Sequence, residues 1–291
     1  MRILSALILL AVTAHADEPD YVRFVENDKG ASLETAITSF TNKAGVTVDL
    51  VGAVHIADKS YYTDLNQRFQ NYDAVLYELV GGPMPKEGDI DDRPRDPKLM
   101  WISELHVRLQ KALELASQLK EINYQVPNFV HADMTVEQFQ AAKEEKNESF
   151  LGLMAKAFLV QSDLLDKGQA RQSPNLIKLL EILCRQDSAT ELKRLVGREF
   201  DSMETLMAGL ESGEGTVIVT ERNKIAFGVM DREIKAGRKR LALFYGAAHL
   251  PSMEKMLIER GFTKMKSAWV KAWTLPPEPK SPAPAPTPSK P

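Results

Sequence analysis

Gly52-Ala53-Val54-His55 and Gly246-Ala247-Ala248-His249 repeat one four-residue phrase at opposite ends of a 291-residue chain. Each copy sets a histidine three residues behind a glycine, and the chain has only five histidines. Imidazole is the commonest metal ligand and the side chain best suited to proton transfer near neutral pH. Two of them facing one cleft make half of a metal site, or a base with its support. Glu78 extends the set. Its neighbours Ala74, Val75, Leu76, Leu79 and Val80 predict burial, and a carboxylate buried bare costs several kcal/mol, so it needs a partner. A metal ion or a histidine would serve, and so would an ion pair with Arg222.

The elements that must position these groups are legible around them. Val46 to Val51 and Leu241 to Tyr245 are apolar runs that read as strands leading into the two GxxH turns. Lys59 to Asn71 and Pro251 to Arg260 have helical spacing, with Pro251 suited to a first turn. Ala74 to Val80 and Lys266 to Val270 then read as strands. The unit strand, GxxH turn, helix, strand therefore occurs twice. Ligand sites in open α/β sheets lie at the carboxyl ends of strands. Gly52 and Gly246 supply the close-packed turn backbone there, and one crossover from His55 brings Glu78 to the same sheet edge.

Two further segments carry candidates. In Phe129 to Met134, His131 and Asp133 fit a third metal ligand with a carboxylate behind it, or a hydrogen-bonded turn histidine. Glu221-Arg222-Asn223 interrupts an apolar run, so at least one of the three faces inward. Arg222 suits an anionic group or a developing oxyanion, while Glu221 and Arg222 together suit bracing of the GxxH turns. His106 lies beside the apolar stripe of a helix and reads as structural. Met203, Met207 and Met230 read as helix core. No HExxH, P-loop, GxGxxG, GxSxG or CxxC motif occurs.

Composition bounds the class. Met1 to Ala16 has a positive start, an apolar stretch from Ile3 to Val12 and Ala14-His15-Ala16 before a cut, the pattern of a signal peptide that removes His15. It is too short to span a bilayer, and no later run reaches the roughly 20 apolar residues a transmembrane helix needs. A soluble periplasmic or secreted product is expected. The net charge of -3 argues against nucleic acid or an anionic membrane as partner. Cys184 is the only cysteine, so no intrachain disulfide forms. Residues 276–291 are Pro-rich and expected to be a disordered tail, leaving 17–275 as one α/β domain. Ser32 to Val54 reads as a hairpin, 81–97 as a long loop, Lys98 to Lys120 as a helix and Thr216 to Lys235 as another. Thr135 and Gln138 form a capping box for a helical stretch reaching Gly213, broken near Gly168, Ser173-Pro174 and Gly197. The expected fold is α/β, a mixed central sheet built from both ends of the chain with a helical insertion over about 98–213.

The paired GxxH motifs, with Glu78 after the first and Glu221-Arg222-Asn223 ahead of the second, resemble the TraB/PrgY/GumN group, which is related to the Tiki proteases. The resemblance spans about residues 46–270, with its specific motifs at the two ends. It implies a fold shared with erythromycin esterase and a haem-binding ChaN-type protein, and a site made of His55, Glu78 and His249 supported by Arg222. Tiki-like members are regarded as manganese- or cobalt-dependent proteases.

The expectation is then a metal-dependent hydrolase acting on a peptide or small molecule. Its divalent ion (Mn, Co or Zn) would be held by His55, His249, Glu78 and His131. Whichever of Glu78 and Glu221 does not bind metal would be the base. The alternatives are a metal-independent hydrolase in which a histidine paired with Glu78 activates water, and a protein that binds haem or metal without turnover.

Overall fold

The computed structural model describes residues 21–86, 107–166, 188–211 and 215–278. The expected signal peptide with His15, the expected loop at 87–97, the first part of the expected helix at 98–106 with His106, Gly168, Ser173-Pro174, Cys184, Gly213 and the tail beyond residue 278 lie outside these. A seven-stranded mixed sheet forms the centre, in the order β1 (Val22–Asn27), β2 (Gly30–Thr41), β3 (Thr47–Ala53), β8 (Arg240–Gly246), β5 (Ala74–Tyr77), β7 (Phe129–His131). The seventh strand, β9 (Thr263–Leu275), pairs with β2. A separate pair joins β4 (Ile56–Ala57) to β6 (Ala116–Ser117). The fold is α/β and mixed, as expected.

The expected hairpin is β2 and β3, antiparallel from Ile37 opposite Val51 to Thr41 opposite Thr47. Its turn is closed by Asn42, whose side-chain oxygen accepts from the backbone N–H groups of Ala44 and Val46 at 3.0 Å each. β2 is long enough to pair with β1 over its first half and β3 over its second, while β9 runs along its other edge. Beyond β3 the strands β8, β5 and β7 are all parallel. Buried on both faces, such strands should be continuously apolar, and Leu241 to Phe244 and Val75 to Leu76 are fully buried.

Helix α1 (Lys59–Phe69) carries the chain from β3 to β5, and α7 (Leu250–Glu259) from β8 to β9, with Pro251 in its first turn. β8 is inserted between β3 and β5, so the two GxxH strands are direct neighbours, with Gly52 opposite Tyr245 and Ala53 opposite Gly246. The repeated units therefore share direction and not placement. The first ends one strand beyond its neighbour, and the second ends across β3 and β2.

Between β6 and β8 lie α2 (Gln118–Glu121), α3 (Val136–Glu145), α4 (Phe150–Asp166), α5 (Ser188–Leu210) and α6 (Arg222–Lys235). The capping box is present: Thr135 Oγ1 accepts from Gln138 N at 3.2 Å, and Gln138 Oε1 from Thr135 N at 2.9 Å. Three expectations are corrected. The helix foreseen over Lys98 to Lys120 is helical at 107–112 and stops at Glu114, whose φ of 50° leaves the helical region; β6 and α2 come next. Gly197 breaks nothing. It sits within α5 because a Cβ there would meet Phe24 Cδ2 at 2.4 Å, so it marks a close crossing of α5 over β1. Thr216 to Lys235 is helical in two parts, a π-helical turn at Val217–Glu221 and then α6. Among the described residues no helix is long and apolar enough to cross a membrane.

Candidate active site

Three parallel strands end at one edge, and each delivers one group. β3 leads to His55, β8 to His249, and β5 to Glu78, which comes directly after Tyr77. Arg222 opens α6, which packs against β5. His55, Glu78, Arg222, Gly246 and His249 all line one cleft of about 500 Å³.

Arg222 organises the buried part. Its Nη2 donates to Glu78 Oε1 at 2.7 Å and to Asp133 Oδ2 at 2.5 Å, while Nε donates to Asp133 Oδ1 at 2.9 Å. Nη1 donates to the Ile218 carbonyl at 3.2 Å and faces His249 Nε2 at 3.4 Å. A guanidinium held by a fork of carboxylate oxygens is fixed in orientation as well as charge. Burial opposes the cation, but Glu78 and Asp133 more than offset this and keep it protonated.

Glu78 is fully committed. Besides the bond from Arg222, its Oε2 accepts from Gly246 N at 2.7 Å. Burial works to raise its pKa, and Arg222 and the Gly246 N–H reverse that, holding it well below the usual carboxylate range. A Cβ on residue 246 would lie 3.2 Å from that same oxygen, so the glycine of the second phrase is there for close approach of the carboxylate. Held as an anion, Glu78 is a poor proton acceptor.

His249 is 4% exposed. Its Nδ1 bonds Asn223 Oδ1 at 2.7 Å, and Asn223 Nδ2 donates to the His249 carbonyl at 3.2 Å. Because the amide oxygen only accepts, Nδ1 carries the proton and Nε2 the lone pair, which suits the donor of Arg222 facing it. Burial pushes its pKa down to about 4, so the ring is neutral at pH 7. Its 3.6 Å approach to Glu78 Oε1 is then no ion pair.

His55 differs. It is exposed, with Nδ1 3.2 Å from Gln118 Oε1, while Gln118 Nε2 donates to Tyr124 at 3.0 Å and Gln118 N to the His55 carbonyl at 2.9 Å. The short strand pair β4 and β6 holds Gln118 beside the first GxxH turn.

Two candidates lie elsewhere. His131, the last residue of β7, bonds the Leu79 carbonyl through Nε2 at 2.7 Å and packs its ring edge-on against Tyr77, and it does not line the cleft. Glu221 is tied to Lys146 and Lys224, each at 2.9 Å, on the outer side of the π-helical turn. The groups that sequence reasoning passed over are Asp133 as partner of Arg222, Asn223 and Gln118. Asn223 had a signal: it is the third member of the inward triplet and is fully buried. Gln118 had none.

The coordinating atoms of Glu78 are already engaged. Arg222 lies against both Glu78 and His249, whose Nε2 is 3.6 Å from Glu78 Oε1, and both Glu78 oxygens accept hydrogen bonds, from Arg222 and from Gly246 N. Among the described residues no group of three or more His, Cys, Asp or Glu side chains is placed to hold a metal. The arrangement can instead present one accessible imidazole beside a buried, oriented cation. Compared with family models, curated proteins and solved structures, the chain matches none of them.

Proposed function

We propose that the chain is an exported hydrolase of an ester or amide in which His55 activates water without a metal ion. The observation that supports the metal-free form is that both Glu78 oxygens are taken up by the N–H groups of Arg222 and Gly246, which leaves a metal ion without that carboxylate unless Arg222 moves away. With Nδ1 directed at Gln118 Oε1, His55 offers Nε2 as the base. Water adds to the substrate carbonyl, its proton passes to Nε2, and the leaving group takes that proton as the tetrahedral species collapses. Arg222, with all five N–H groups directed at Glu78, Asp133, the Ile218 carbonyl and His249, holds that wall of the cleft in place and donates nothing to the oxyanion. The N-terminal end of the turn Ala247–His249 leading into α7 adds positive potential on the same side. A positioned base of this kind contributes about 10²- to 10⁴-fold in rate.

The mature protein, exhaustively treated with EDTA, is assayed against p-nitrophenyl esters and peptide anilides. Hydrolysis should persist, and His55→Ala should lower kcat/KM by about 10²- to 10⁴-fold. The metal-dependent reading draws on both imidazoles lining one cleft. Activity that vanishes on chelation and returns with manganese, cobalt or zinc would establish it in place of ours. A Soret band on haem addition, with no turnover, would favour the binding-protein reading. Cell fractionation tests export.

A further inference from the structure

The cleft wall is chemically uneven. Among the described residues lining it, His55, Glu78, Arg222 and His249 are the only ionisable groups. The rest of the wall includes Leu109, Leu113, Val196, Phe200, Ile218 and Trp273. Leu109 and Ile218, 38% and 39% exposed, place large apolar side chains at a surface open to water. Phe200 and Trp273 meet edge to face at 6.0 Å, giving a firm aromatic floor. Trp273 Nε1 is buried and finds no acceptor among the described residues, so that floor holds a neutral hydrogen-bond donor and no charge.

The charge balance narrows the occupant. Arg222 contributes one positive charge, Glu78 and Asp133 one negative charge each, and the buried His249 none. Leaving His55 aside, Arg222 and the two carboxylates it binds are formally negative by one, and every N–H of Arg222 is already directed at Glu78, Asp133, Ile218 or His249, so an anionic head group finds no donor there and is repelled in a poorly screened setting. A cavity of this size is within the range that encloses a small molecule, and its long wall rewards apolar area.

Resting on the hydrolase reading above, we infer that the substrate is an uncharged ester or amide of an apolar acyl group, with the acyl chain along the Leu109, Phe200 and Trp273 wall, and that free carboxylates are rejected. The test is binding, so it does not depend on turnover. N-phenyl-1-naphthylamine, a neutral fluorescent probe, is titrated into the wild type and into His55→Ala, then displaced with decanamide or decanoate. Saturable one-to-one binding to both proteins is expected, with decanoate weaker than decanamide by at least about tenfold. Leu109→Asp, at a position open enough to accept a charge, should weaken decanamide by about tenfold. Met265→Asp, 62% exposed and outside the cleft, should leave it unchanged. Absence of saturable binding, or decanoate binding as tightly as decanamide, overturns the inference. Binding as expected in a protein that hydrolyses nothing would leave the ligand class standing and remove the hydrolase reading alone.

Discussion

The two GxxH turns spell the same phrase and end on neighbouring strands, yet their histidines live in different media. His249 is buried, neutral and clamped by Asn223 beside the Arg222 network. His55 is exposed, with its Nδ1 beside Gln118 and, behind that amide, Tyr124. The difference comes from the element on the far side of each turn. After His249 the chain enters α7 directly, under the first turn of α6; after His55 it runs into the short strand β4, which leaves the ring at the mouth of the cleft. A repeated motif therefore fixes where two side chains emerge, while the flanking elements decide whether each becomes part of the buried frame or is left open to the solvent.

The largest effect should come from removing the cation that the His249 side is built on. Arg222→Met strands Glu78 and Asp133, the latter with a fully buried side chain, and should cost about 3–5 kcal/mol in a urea melt. A loss below about 1 kcal/mol would show that the network is not structural. Acid is the next probe. In the folded state His249 titrates near 4, against 6.5 for an ordinary histidine, so between those values the unfolded chain binds a proton that the folded one refuses. Stability is full above pH 6.5 and falls as the pH drops toward 4, by about 3 kcal/mol. Glu78, depressed by Arg222, adds a further loss below about 4.5. His249→Leu should flatten the part above pH 4.5, and an unchanged slope would contradict the neutral buried ring.

Asn223→Ala leaves the His249 Nδ1–H without its acceptor and should cost about 1–3 kcal/mol, measured by thermal or urea unfolding. The smallest effect should be on the other side: His55→Ala should change stability by less than about 0.5 kcal/mol while removing the proposed hydrolysis. If it destabilised the protein as much as Asn223→Ala does, the contrast between the two turns would collapse.

Much of this was legible where pattern and chemistry agreed. Alternation and apolar runs located β2, β3, β5 and β8, and the Gly-x-x-His spacing placed His55, His249 and Glu78 at one edge, because parallel strands joined by crossovers must end together. Side-chain partnerships were not legible. Whether Glu78 would meet a metal or Arg222 depends on how α6 enters, and that is set by the π-helical turn at Val217–Glu221, which has no clear sequence signature. Asp133 was read as serving His131, two residues away. The backbone at Ala132 instead turns it toward Arg222, with the Ala132 carbonyl accepting from Tyr245. Likewise Gly197 looked like a helix breaker because a glycine lowers helix propensity, and only the position of Phe24 reveals its purpose.

The insertion of β8 between β3 and β5 also sets an order of events. Residues 47–53 and 74–77 lie close in sequence, but they do not pair with each other; each must wait for residues 240–246. Pairings this distant in the chain make for slow folding, and before they form, β3 and β5 present bare apolar edges that invite association with other chains. The cleft should therefore be completed late in refolding, with the closing of the sheet, and lag behind the appearance of helical signal.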